Sequence, residues 1–138
     1  MNLYFDTSAL LKRYVDESGS GKVDALFNRA DKITISAVTE AEVYCALGFR
    51  LNAGDLDKSS FNLALREFQA DIMSFEKVPF SPTLSLKIRT LAERHGHKTL
   101  DTIQLASFTL SGCTTMIVAD KKLAKLAKAE RKNVKLIA

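Results

Sequence analysis

The sequence predicts an α/β fold of three layers, α/β/α, with a mainly parallel central sheet, in a single domain over residues 1–138. Two observations lead there. Short β-rich runs alternate with helical stretches along the chain, and such alternation builds β-α units whose right-handed crossovers return each strand parallel to the last. The 138 residues amount to about one domain, and 46% hydrophobic against 26% charged residues is the balance of a chain that makes its own core.

Asn2 to Phe5 is the first strand, a β-rich run that stops at Asp6. A helix follows at once, with Thr7 or Ser8 able to accept a backbone N–H as N-cap, and with Leu10, Leu11 and Tyr14 at helical spacing up to the polar break Asp16-Glu17-Ser18-Gly19. Ser20 opens a second helix with a face of Val23, Leu26 and Phe27, and Ile33-Thr34-Ile35 is then a short buried strand ended by Ser36. Thr39-Glu40-Ala41-Glu42 has the T-x-x-E form of a capping box, so a third helix runs from here through Val43, Ala46 and Leu47 towards Asn52-Ala53-Gly54.

Asp57 caps a fourth helix, whose stripe is Phe61, Leu65, Phe68 and Ile72, and Ser74 to Val78 reads as an extended edge piece before Pro79. Ser81 at N-cap with Pro82 at the first helical position starts a fifth helix, and Gly96 stops it after Leu84, Ile88, Leu91 and Ala92. Thr99 or Asp101 caps the sixth. Its Ile103, Leu105, Ala106 and Leu110 make it almost wholly apolar, hence buried and central, and Gly112 ends it. Thr114 to Val118 is a strand that stops at Ala119-Asp120, a lysine-rich helix covers 121–130, and Val134 to Ile137 is the last strand.

Charge is unevenly placed. Of the net +4, residues 121–138 alone contribute +6 through Lys121, Lys122, Lys125, Lys128, Arg131, Lys132 and Lys135 against Glu130, and the remaining 120 residues carry −2. A near-neutral body with one basic end predicts a polyanion held at that end, with Lys121, Lys122 and Lys125 as its nucleic-acid contacts; the plainer alternative is a solvated amphipathic helix. Cys45 and Cys113 form no metal or redox spacing, which fits a reducing, cytoplasmic setting. No apolar stretch reaches the ~18 residues of a membrane span, and the N-terminus lacks the basic and apolar regions of an export signal.

In open parallel sheets ligands bind beyond the carboxyl ends of the strands. Four acids belong there. Asp6 directly follows the first strand, Glu42 lies in the first helical turn after the second, Asp101 opens the buried helix, and Asp120 follows the Thr114 to Val118 strand. Each alone has a plain reading as a cap or strand terminator. Together they predict convergence at one sheet edge, where like charges need a cation, and an all-oxygen set without Cys or His suits Mg²⁺ or Mn²⁺. Such an ion polarises a phosphate and lowers the pKa of water, which is nuclease chemistry. Thr7 and Ser8 supply hydroxyls for a phosphate oxygen or for the ligands themselves. Glu40 and Glu42 point about 200° apart on one helix, so only one faces the site, and the capping box favours Glu42. His95 and His97 flank Gly96 on a predicted loop and read as surface residues, not general bases.

At these residues the sequence resembles the PIN-domain ribonucleases, and most closely the VapC-type toxins of bacterial and archaeal toxin–antitoxin pairs. The resemblance is carried by four blocks in order: Tyr4-Phe5-Asp6-Thr7-Ser8-Ala9-Leu10, Ile35-Ser36-Ala37-Val38-Thr39-Glu40-Ala41-Glu42, Thr99-Leu100-Asp101-Thr102-Ile103-Gln104-Leu105-Ala106, and Val118-Ala119-Asp120. It implies a PIN-like fold, an acidic metal site on Asp6, Glu42, Asp101 and Asp120, single-stranded RNA as substrate, a small antitoxin partner and a homodimer. Asp6 and Asp101 are expected to hold Mg²⁺ or Mn²⁺ directly, and Glu42 and Asp120 to complete the shell. A structure-specific DNA nuclease or a non-catalytic nucleic-acid-binding module are the alternatives. A receiver-type phosphorylation domain needs an adjacent acidic pair after the first strand, and Asp6-Thr7 does not supply it.

Overall fold

The computed structural model describes residues 1–138, in which five strands alternate with seven helices. In chain order they are β1 (Asn2–Phe5), α1 (Thr7–Leu10), α2 (Ser20–Arg29), β2 (Lys32–Ser36), α3 (Thr39–Ala53), α4 (Lys58–Ile72), β3 (Glu76–Val78), α5 (Pro82–His95), α6 (Thr99–Ser111), β4 (Thr115–Val118), α7 (Lys121–Ala129) and β5 (Val134–Leu136). The sheet is wholly parallel, in the order β3-β2-β1-β4-β5. Growth away from β1 runs first through β2 to β3 and then reverses through β4 to β5. The reversal leaves a crevice at the carboxyl ends of β1 and β4, the place where such sheets bind ligands.

Strand alternation sorts the core into two halves. Leu3 and Phe5 of β1, Ile35 of β2 and Ile117 of β4 face α1 to α4, packing with Leu10, Val23, Leu26, Val43, Leu47 and Phe68. Tyr4, Met116 and Val118 face the other way, onto Leu84 and Leu91 of α5, Leu105 and Phe108 of α6, and Leu123 and Leu126 of α7. That is the three-layer arrangement read from the sequence, and α6 is the buried central helix, with every residue from Thr102 to Phe108 out of solvent. No helix is long and apolar enough to cross a membrane.

Several local details differ from the sequence reading. The first helix is capped by Asp6, not Thr7 or Ser8, and after one turn it tightens into a 3₁₀ turn over Leu11–Arg13 instead of continuing to Asp16. The capping box at Thr39 does not form: Val38 is the N-cap, and the Thr39 hydroxyl accepts a hydrogen bond from Gln104 of α6. Neither Thr99 nor Asp101 caps α6, which starts from Lys98 without a side-chain cap. On α4 the fully buried stripe is Ala64, Phe68 and Ile72, with Phe61 and Leu65 half-buried. Asp57, Ser81-Pro82 and Gly96 cap and stop their helices as predicted.

Candidate active site

Asp6 ends β1, and its backbone N–H extends the ladder by donating to Ile117 of β4 at 3.0 Å. The side chain is only 5% exposed. Its Oδ2 accepts from the Ser8 backbone N–H at 3.1 Å and from the Ser8 hydroxyl. Burial raises the Asp6 carboxyl from an ordinary 3.8 to about 7; the Ser8 hydrogen bonds oppose the rise, and the charges of Glu42 and Asp101 add to it.

The Ser8 hydroxyl also accepts from the backbone N–H groups of Ala119 and Asp120, both at 3.1 Å. One serine thus clips the β1 acid to the turn after β4. Asp120 is the N-cap of α7, where its Oδ1 accepts from Lys122 and Leu123 N–H at 2.8 and 3.1 Å. Glu42, in the first turn of α3, turns towards α1 and α6: its Oε1 accepts from the Thr7 hydroxyl at 2.9 Å and from Gln104 Nε2 at 2.7 Å. Glu40 points elsewhere and accepts from the Tyr44 hydroxyl. Asp101 Oδ2 accepts from His97 Nε2 at 2.9 Å.

A common pattern joins the four. Each carboxylate has one oxygen held by protein donors, and the other oxygen makes no hydrogen bond within the protein. Thr34 Oγ1 is the one fully buried side-chain polar atom without a partner, so the four free carboxylate oxygens all reach solvent. No set of three or more His, Cys, Asp or Glu side chains stands at metal-holding spacing as the side chains are oriented here. The donor chemistry nonetheless fits a hard divalent ion, because all four free atoms are carboxylate oxygens and the most buried of them resists ionising without a compensating charge.

Thr7 and Ser8 direct their hydroxyl protons to Glu42 and Asp6, so they support the acids and have no proton free for a phosphate. Lys121, Lys122 and Lys125 are exposed on α7 beside the site. The histidines differ from the sequence reading. His95 closes α5 and bonds Glu130, and His97 touches Asp101, so His97 supports one of the four acids. A role for Gln104 was missed. It is 1% exposed, accepts from the Tyr4 hydroxyl at 2.5 Å, and shares its two amide protons among Thr7, Thr39 and Glu42, forming the hub under the site. A glutamine amid Ile103, Leu105 and Ala106 was the available signal, since a buried amide must find partners.

Residues 3–129 match the family model described as PIN domain. The ribonuclease VapC45 of Mycobacterium tuberculosis (strain CDC 1551 / Oshkosh) is 29% identical over 123 residues, which is 88% of this chain and 85% of that protein. Among solved structures, FitAB bound to an IR36 DNA fragment superposes with a TM-score of 0.74 at 18% identity, covering 97% of this chain and 94% of that one. VapBC2 from Rickettsia felis, bound to a DNA fragment from its promoter, superposes with a TM-score of 0.68 at 14% identity over 100% of both chains. The family match spans nearly the whole sequence, so this chain belongs to the PIN domain family.

Proposed function

We propose that this protein is a metal-dependent endoribonuclease that cuts single-stranded RNA and acts as the toxin of a toxin–antitoxin pair, with a small antitoxin as its protein partner. The observation that carries the reading is the set of four free, solvent-reaching carboxylate oxygens on Asp6, Glu42, Asp101 and Asp120 at the carboxyl edge of β1 and β4. The ribonuclease named among the relatives supports RNA as the substrate, and the VapBC and FitAB neighbours support an antitoxin.

Asp6 and Asp101 would hold Mg²⁺ or Mn²⁺ directly, with Glu42 and Asp120 completing the shell. When bound, such an ion supplies polarisation of the phosphate and a water of lowered pKa. The chain's own residues prepare the place for it. Ser8 fixes Asp6 against the β4 turn, Thr7 and Gln104 hold one oxygen of Glu42, and His97 holds one oxygen of Asp101. These supports are neutral donors at Asp6 and Glu42, so the negative charge there remains for a cation. Lys121, Lys122 and Lys125 attract the RNA backbone to the same edge.

Incubation with end-labelled single-stranded RNA and matched DNA tests the reading. The expected result is internal cleavage of the RNA with 5′-phosphate ends, sensitive to EDTA, restored by Mg²⁺ or Mn²⁺, and lost in Asp6→Asn and Asp101→Asn. Cyclic phosphate ends, or activity that survives EDTA, would place the chemistry on other residues; equal cutting of DNA would favour the broader nuclease reading.

A further inference from the structure

A groove of about 350 Å³ runs between the end of α5, the turn into α6 and the outer face of α7, lined by His95, His97, Lys122, Lys125, Leu126 and Ala129. It adjoins the acidic site at two points: His97 is bonded to Asp101, and the Lys122 N–H is bonded to Asp120. Lys122 and Lys125 are exposed and enter none of the chain's ion pairs, so their charge is open to a ligand. The imidazoles are held in place. His95 Nε2 lies 2.7 Å from Glu130 Oε2, and Arg94 Nη1 clamps the same carboxylate at 2.6 and 2.8 Å.

We propose that this groove is a nucleotide subsite, taking the residue of the RNA strand next to the scissile phosphate, with its phosphate on Lys122 and Lys125 and its base against the His95 imidazole. The inference rests on the nuclease reading above and adds a binding step to it. The lining combines fixed planar rings with free ammonium groups, and a nucleotide uses both, because unpaired bases stack on aromatic side chains while lysines meet the phosphate. The cavity lies in the ~300–1,000 Å³ range of small-ligand pockets. An acidic peptide would use the lysines and leave the rings without a partner.

Binding of fluorescein-labelled single-stranded RNA in EDTA, read by anisotropy, separates this step from cleavage. Lys122→Glu with Lys125→Glu should weaken binding at least about tenfold and reduce the slope of log affinity against log salt by about 0.7, while the rise in melting temperature on adding Mg²⁺ is kept. Both lysines are exposed and enter no ion pair, so the variant should fold. In short oligonucleotides with one base removed at each position in turn, one position should cost the wild type about tenfold. His95→Ala should erase that sensitivity and His95→Phe should restore it. RNA binding unchanged by the lysine reversals, or an abasic series that is flat in the wild type, would overturn the subsite, as would variants that lose a poly-glutamate peptide but keep RNA. EDTA-sensitive cleavage with unchanged groove variants sinks the subsite alone; weakened RNA binding without any cleavage in the wild type sinks the nuclease reading and the placement next to a scissile phosphate, and leaves the groove as an RNA-binding site.

Discussion

Asp6 holds its proton far above the ordinary carboxylate range because burial outweighs the two hydrogen bonds from Ser8. The native state therefore keeps, between pH 3.8 and about 7, a proton that the unfolded chain has released, and stability falls as pH rises through that window. Roughly 2–4 kcal/mol of destabilisation is expected above it in the metal-free protein. Asp6→Asn keeps an acceptor for Ser8 and removes the charge, so in EDTA at pH 8 it should unfold at higher urea than the wild type, with the gap closing towards pH 4. Equal midpoints at pH 8 would show that Asp6 carries no desolvation penalty. Gln104 makes the opposite case, a buried polar group with every partner in place. Gln104→Leu strips the Tyr4 hydroxyl of its acceptor and Glu42 of a donor, and should cost about 2 kcal/mol or more in urea unfolding. A loss below about 0.5 kcal/mol would mean that water replaces the amide at that hub.

Helix α7 reads as one amphipathic element, with Leu123, Ala124, Leu126 and Ala127 buried and the lysines on the far side. Its first residue out, Asp120, has two roles that separate by oxygen: Oδ1 caps the helix and Oδ2 is free at the site. Asp120→Ala should lose about 1 kcal/mol of stability together with part of the Mg²⁺-dependent rise in melting temperature. Asp120→Asn still caps well, so it should keep the stability in EDTA and lose only the metal-dependent part. Identical behaviour of the two variants in both measurements would merge the roles. Helix α3 shows the limit of a local signal. The T-x-x-E pattern is present, but the capping pair exists only if Thr39 and Glu42 have nothing better to bond, and Gln104 and Thr7 take them first.

The molecule is tied end to end at Gly19. There the backbone has φ +93°, a left-handed value that costs a side-chain-bearing residue, and an added Cβ would stand 2.6 Å from Ile137 Cγ2 and 3.1 Å from the Ala138 carbonyl oxygen. Gly19→Ala should therefore lower stability by more than about 1 kcal/mol through both strain and overlap, where Gly21→Ala, in open space on α2, should be neutral or stabilising. Chemical denaturation of the two variants checks it; a neutral Gly19→Ala would show that the C-terminal residues yield freely. This contact joins the start of α2 to the chain's last residues, where Ile137 enters the α1–α4 half of the core.

The elements and the parallel three-layer class were legible in the sequence, because these signals are local or periodic. A proline after a capping serine, a glycine at a helix stop, and alternation along β1 depend on neighbours a few residues away. Which side chains meet depends on how elements distant in the chain pack together. Tyr4 reaches Gln104, Thr7 reaches Glu42, Ser8 reaches the turn at Asp120, and His97 bonds Asp101. Most of these hydrogen bonds span residues distant in the chain, and a side chain with several possible partners takes those that burial places nearest. Even His97 and Asp101, four residues apart, meet only because the turn between α5 and α6 directs the imidazole back over the first turn of α6.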